Sequence, residues 1–254
     1  MDWKHLEREA VGLVDGARDR NVILRVVGSA GIRLHCPGPA ELMDQLGRPA
    51  KDIDFVVPSG DRKAMRRYLE DLGYVVDRQL LVAMEGRRFT FSHPATGVDL
   101  DVFVDRLQFC HTVEVRLDRH PITIALEELL LQKLQIVELT IADMIDLAVL
   151  LATHDVASGD NDRETLDGGR IAGLLAREWG FHHTVIRNLE RLEAGTKDGS
   201  PALNASARER VLAGITALVA AIDTAPKSVA WRMRGRVGER KQWWEDVDNK
   251  EEAY

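Results

Sequence analysis

Lys51-Asp52-Ile53-Asp54-Phe55-Val56-Val57 is the stretch whose reading decides the fold. Its β-branched and aromatic residues predict a strand, ended by Pro58-Ser59-Gly60-Asp61. Side chains along a strand alternate between faces, so Asp52 and Asp54 project together. Two neighbouring carboxylates repel each other unless a cation sits between them. Hard divalent ions such as Mg²⁺ take carboxylate oxygens and keep waters that substrate phosphates can replace. Incidental acids on a solvent-facing strand edge are the plainer reading, so the pair gains meaning only from what surrounds it.

Toward the N-terminus, Asn21–Val27 is a short β-branched run that stops at Gly28-Ser29, with a helix expected from about Ala30. Glycine lets backbone approach a ligand closely, a helix N-terminus offers unpaired N–H groups suited to phosphate, and the serine hydroxyl adds a donor. Toward the C-terminus, Arg62–Leu72 reads as a helix stopped by Gly73. Three strand candidates follow: Tyr74–Val76 extending through Leu80–Met84, then Arg88–Ser92, then Val98–Val104, with turns at Gly86 and His93–Gly97. In the last of these, acids alternate with apolar residues through Asp99, Asp101 and Asp105. A third acid across from Asp52 and Asp54 completes a site for two metal ions, which in such sites lie about 3.5–4 Å apart. Asp101 is the expected one, because it leads directly into Val102-Phe103-Val104; Asp99 shares its face and Asp105 lies near the exit, and both stay open.

From Ala125 the character changes to helices: Ala125–Glu138, Ile141–His154, Gly169–Trp179, Phe181–Glu193 and Ser206–Asp223, with loops at Ser158–Gly169 and Ala194–Pro201. Cys36–Arg48, rich in Pro and Gly, reads as an irregular loop holding at most a short helix. The expected class is α/β in the α+β sense, with a mixed sheet flanked by helices over residues 1–122 and a helical domain over 123–225. A charged tail follows over 226–254, basic at its start and acidic at its end, with Trp231, Trp243 and Trp244 among the charges; it packs, swaps, binds a partner or stays poorly ordered.

The 254 residues carry 34 Lys+Arg against 41 Asp+Glu, a net charge of −7, with 45% apolar residues. That balance excludes wholesale disorder and argues against broad nucleic-acid coating, although the basic start of the tail suffices for local phosphate contacts. No apolar run approaches the roughly 18–20 residues that span a bilayer, and Met1–Gly16 reads as a charged amphipathic helix lacking an apolar signal core. Cys36 and Cys110 are too few for a disulfide framework or a four-ligand zinc site. A cytoplasmic protein with no membrane partner is expected. No P-loop, Rossmann glycine fingerprint or His-Glu-x-x-His motif is present. His182-His183 reads as a half-exposed helix start and Cys110 as packing; Arg25 and Arg33, near the Gly-Ser turn, are placed to touch phosphate but read first as partners of local acids. Lys133 lies among Leu129, Leu130, Leu131 and Leu134, where it either snorkels outward or meets an anion inside.

Taken in order, Val26-Val-Gly-Ser-Ala-Gly31, Lys51-Asp-Ile-Asp-Phe55 and Val98-Asp-Leu-Asp-Val-Phe103 resemble the nucleotidyltransferase superfamily that includes DNA polymerase β. Leu129–Ile136, Ala142–Leu147, Trp179-Gly180 and Asn188-Leu189 resemble its abortive-infection toxin branch and related bacterial proteins, so that the likeness spans residues 20 to 195. The resemblance implies a metal-dependent transfer of a nucleoside monophosphate from an NTP, ATP among them, to a hydroxyl on a small molecule, tRNA or protein, with release of pyrophosphate. It implies catalytic and metal-binding roles for Asp52, Asp54 and Asp101 with two Mg²⁺ ions, Mn²⁺ as a substitute, and nucleotide binding by Gly28, Ser29, Lys133 and Asp146, with Asp143 as an accompanying acid. The competing reading is a non-catalytic nucleotide-binding protein or toxin–antitoxin-type partner on the same fold. The chain departs from the pattern in a longer stretch between Ser29 and Asp52 and in Ala142, where a basic residue often precedes the helical aspartate.

Overall fold

The structure, a computed structural model, describes residues 2–35, 40–159 and 164–246. The Pro-rich segment 36–39, the middle of the acidic loop and the end of the tail lie outside the described residues. Contacts divide the chain into two compact units, one comprising the chain up to Leu107 together with Glu114–Leu129, the other Gln108–Val113 together with everything from Leu130 onward.

The first unit runs α1 (Trp3–Arg18), β1 (Arg25–Val27), α2 (Gly28–His35), α3 (Ala40–Gln45), β2 (Ile53–Val57), α4 (Arg62–Asp71), β3 (Val75–Val76), α5 (Arg78–Ala83), β4 (Arg88–Ser92) and β5 (Asp99–Val104). The five strands form one mixed sheet in the order β1-β2-β5-β4-β3. Within this sheet β2 and β5 pair in parallel and the other described neighbours antiparallel, and the long crossover such a parallel pair demands is supplied by α4, β3, α5 and β4.

Strand alternation gives this sheet two chemically different faces. Ile53, Phe55 and Val57 of β2, Leu100 and Val102 of β5, and Phe89 and Phe91 of β4 enter one buried apolar core. Helix α1, capped by the Asp2 carboxylate accepting from the His5 amide at 2.7 Å, adds Trp3, Leu6, Ala10, Leu13, Val14 and Ala17 at helical spacing, and α4 adds Met65, Tyr68 and Leu69. Burying each large apolar side chain is worth about 1.5–3 kcal/mol, so this face sets the pleat of every strand. The intervening residues, among them Asp54, Arg88, Thr90 and Asp101, are thereby committed to the opposite face.

Several sequence expectations change. Leu80–Met84 does not continue β3: Leu80–Ala83 lies in helix α5 and Met84 caps its end, because the Asp77 side chain accepts from the Gln79 and Leu80 amides and starts a helical turn. Helix α2 begins at Gly28 itself, two residues before the expected start. Ala194–Asp198 belongs to a helix, whose buried Leu192 and Thr196 keep the four-residue spacing until Gly199, at φ 84°, ends it in a left-handed cap. Four short strands were not expected: β6 (Arg106–Gln108), β7 (Thr112–Glu114), β8 (Val156–Ala157) and β9 (Leu166–Asp167).

Helix α6 (Leu126–Leu134) carries the chain into the second unit, which continues with α7 (Ile141–Thr153), α8 (Gly168–Leu175), α9 (Trp179–Asp198), α10 (Ala205–Thr224) and α11 (Val229–Val237). The described part of the tail packs: Arg234 lies 4.7 Å over the Trp179 ring, Trp243 meets Trp179 edge-on at 6.2 Å, and the Glu245 amide donates to the Cys110 carbonyl at 3.0 Å. Among the described residues, no single helix is long and apolar enough to cross a membrane.

Candidate functional site

The parallel ladder sets Asp54 directly opposite Asp101, while the antiparallel one sets Asp54 opposite Val27, the residue before Gly28. Asp52 precedes β2 on the same side. Ligand oxygens from Asp52, Asp54 and Asp101 all lie within 4.8 Å of one another. Burial deepens across the cluster: Asp52 is exposed, Asp54 half-buried and Asp101 only 7% exposed. Asp101 is held by two side chains of β4. Arg88 Nη2 donates to its Oδ2 at 2.6 Å, and the Thr90 hydroxyl donates to its Oδ1 at 2.5 Å.

The other two acids of the strand sort away from this cluster. Asp99 is exposed at the start of β5, opposite Ser92. Asp105, at φ 64°, belongs to the turn after β5 and accepts from the Ser59 amide at 2.7 Å. Three oxygen-donor carboxylates, without histidine or cysteine, suit a hard divalent cation, so the cluster is one that could hold a metal ion.

Gly28 is where backbone and cluster meet. Its φ is +65°, and a Cβ placed there would lie 2.1 Å from Asp54 Oδ2. Only glycine both adopts the left-handed turn without strain and leaves room for that carboxylate. The turn opens α2, whose N-terminal partial positive charge faces the acidic side of the sheet. The Ser29 hydroxyl accepts from Arg48 Nη2. Arg48 is anchored in turn, its carbonyl accepting from Trp3 Nε1 at 2.8 Å.

Lys133 belongs to the second unit and does not snorkel. It is 8% exposed, and its Nζ lies 2.9 Å from Asp146 Oδ2 and 3.1 Å from Asp143 Oδ1. Asp143 also forms a reciprocal capping box with Thr140 at the start of α7, and Asp146 is fully buried. Both acids are therefore interior partners of Lys133. Asn188 and Gly180 have plain structural work. Asn188 donates to the Leu134 and Ile136 carbonyls at 2.9 and 2.6 Å, and Gly180 leaves no room for a Cβ, which would lie 2.5 Å from the Trp243 carbonyl.

Of the residues set aside in the sequence, Arg33 pairs with acids as expected, whereas Arg25 turns to backbone carbonyls instead. Arg33 bonds Asp44 at 2.9 and 3.1 Å and also pairs with Glu7, while Arg25 donates to the Leu117 and Leu24 carbonyls. Burial pushes the Cys110 thiol up, away from the reactive thiolate. His111 is buried, its Nε2 2.8 Å from the Thr184 hydroxyl, which also accepts from Trp243 Nε1 at 3.0 Å. His183 stacks on Trp179 at 4.7 Å and pairs with Glu239 at 2.9 Å.

Sequence reasoning passed over Arg88, Thr90 and Arg48. The signal for the first two was present in Arg88-Phe89-Thr90-Phe91-Ser92, where polar residues alternate with the two core phenylalanines. Arg48 gave none, because its approach to Ser29 depends on how the chain between them folds. No protein-family model, curated protein or solved structure matches this chain, so the reading of the site rests on its own geometry and on the order of its motifs.

Proposed function

We propose that this protein is a metal-dependent nucleotidyltransferase that moves a nucleoside monophosphate from an NTP to a hydroxyl acceptor and releases pyrophosphate. In this reading the mixed sheet with its flanking helices is a nucleotidyltransferase domain of the DNA polymerase β type. The observation that supports it most is the cluster of Asp52, Asp54 and Asp101 lying against the Gly28-Ser29 turn that opens α2. Carboxylates able to hold cations beside N–H groups able to hold phosphate are what a metal–triphosphate complex requires.

Asp52 and Asp54 are the metal-holding pair. When bound, two Mg²⁺ ions, or Mn²⁺ in their place, supply positive charge against the attacking and leaving oxygens. Gly28 and Ser29 receive the triphosphate through backbone N–H groups and the hydroxyl. Asp101, fixed by Arg88 and Thr90, accepts the acceptor's hydroxyl proton. The acceptor oxygen then bonds to the α-phosphorus as the bond from that phosphorus to the oxygen bridging the β-phosphate breaks, and pyrophosphate departs. Positioning and electrostatics carry most of such catalysis. The sequence resemblance alone offers Lys133 and Asp146 as nucleotide contacts; in the structure they form a buried ion pair of the second unit and carry no step of this proposal. Small-molecule, tRNA and protein hydroxyls all meet the chemical requirement for the acceptor, and a cytoplasmic location supplies each of them.

The test needs no acceptor. ATP, CTP, GTP and UTP are titrated calorimetrically into the protein with and without Mg²⁺, alongside the Asp52→Asn/Asp54→Asn variant. The expected result is Mg²⁺-dependent binding of at least one triphosphate that the folded variant loses. Absence of binding by any triphosphate, or binding that the variant keeps in full, overturns the assignment.

A further inference from the structure

Arg88 puts a permanent positive charge into a cluster built from negative ones. Its Nη2 is bonded to Asp101 Oδ2 at 2.6 Å and its guanidinium lies 5.0 Å from the Phe103 ring centroid, so it is both bonded and stacked in place. Its Nε–H, however, is buried without a hydrogen-bond partner among the described residues. Guanidinium has five donors in a rigid fork and does not deprotonate in proteins.

The same charge acts in two directions. Three carboxylates with oxygens within 4.8 Å of one another repel strongly, and the guanidinium relieves that repulsion at Asp101, the most buried of them. Against an arriving divalent cation, the guanidinium is a like charge bonded to one of the intended ligands. We propose that Arg88 is a resident counter-ion that governs metal loading: it holds Asp101 while the site is free of metal and suppresses binding of the bare ion, so that filling favours a metal arriving with a negatively charged triphosphate. This inference rests on the metal-binding reading of Asp52, Asp54 and Asp101. It makes Arg88 a positioning residue rather than a catalytic one.

The experiment uses Mn²⁺ alone as the probe, read by electron paramagnetic resonance at pH 8, with thermal unfolding measured in parallel. Arg88→Gln, which keeps a donor but loses the charge, is expected to bind bare Mn²⁺ at least about tenfold more tightly than the parent protein. Its melting temperature is expected to fall without metal and to recover with it. Arg88→Lys keeps the charge and is expected to stay within about threefold of the parent. The tighter binding should vanish in Arg88→Gln/Asp54→Asn. Unchanged or weaker Mn²⁺ binding by Arg88→Gln, an Arg88→Lys affinity that rises as much as that of the glutamine variant, or an Arg88→Gln protein that stays unfolded in saturating Mn²⁺ would each overturn the inference. If neither the parent nor Arg88→Gln binds Mn²⁺ in a manner sensitive to Asp52→Asn/Asp54→Asn, the metal-site reading itself falls. The two failures are therefore distinguishable.

Discussion

Gly28→Ala separates backbone strain from damage to the site, because the structure sets a magnitude for each. At φ +65° an alanine takes up a left-handed conformation that costs about 1–2 kcal/mol. The stiffer unfolded chain returns about 0.4–1 kcal/mol, leaving a net loss near 1 kcal/mol. The new Cβ would lie 2.1 Å from Asp54 Oδ2, and ordinary contact begins at 3.4 Å, so that oxygen must retreat by about 1.3 Å. A carboxylate end can do this by leaving its preferred rotamer, at about 0.5–1.5 kcal/mol. The total loss is then about 1.5–2.5 kcal/mol. Metal–ligand distances in real sites fall within about 0.2 Å of their standard values, so a carboxylate oxygen moved by about 1.3 Å should also cost the variant more than tenfold in Mn²⁺ affinity. Gly97→Ala is the control: φ is +70° there and nothing lies within 4 Å of the added Cβ. It should lose about 1 kcal/mol with Mn²⁺ affinity unchanged. Urea denaturation and Mn²⁺ titration of both variants decide the matter. Equal stability losses with metal binding intact in both would refute the claim that Gly28 is needed for the space beside Asp54.

Lys133→Met leaves Asp143 and Asp146 buried without their cation and should cost about 3–5 kcal/mol in urea denaturation. Adding Asp146→Asn should recover part of that loss by removing one uncompensated charge, and a double variant no more stable than the single one contradicts this account. His182 is pushed down to about 4 by burial, with the charge of Lys227 adding to the effect. Below its ordinary value of 6.5 the unfolded chain takes up a proton that the native protein refuses, so stability should fall as pH drops from 6.5 toward 4. His182→Gln should lose less stability than the parent between pH 7 and pH 5, and parallel losses would exclude His182 as a contributor.

The helices were the most legible part of the chain. Leu6, Ala10, Leu13, Val14 and Ala17 repeat at the spacing of one helix face, and α1 buries that face. Leu80–Met84 was misread because a short apolar run has no period of its own, and a single capping contact from Asp77 decides for helix. At the site, alternation along Lys51–Val57 was enough to put Asp52 and Asp54 on one side, and alternation through Val98–Asp105 left the third acid a choice. The choice itself needed the partner strand.

What the amino-acid sequence determined by itself is therefore everything that depends on a repeat inside one segment: the two-residue period that separates acid from core along β2 and β5, the helical period of α1, and the glycine where a strand turns into a helix. Tertiary structure decided the relations between segments far apart in the chain. The register that sets Asp54 against Asp101 joins residues 47 positions apart. Arg88 reaches Asp101 only because β4 lies beside β5, and Lys133 is held inside only because α7 brings Asp143 and Asp146 to it. Pairing register and charge compensation are set by burial of the whole core, since a one-residue slip would turn every side chain of a strand to the wrong face.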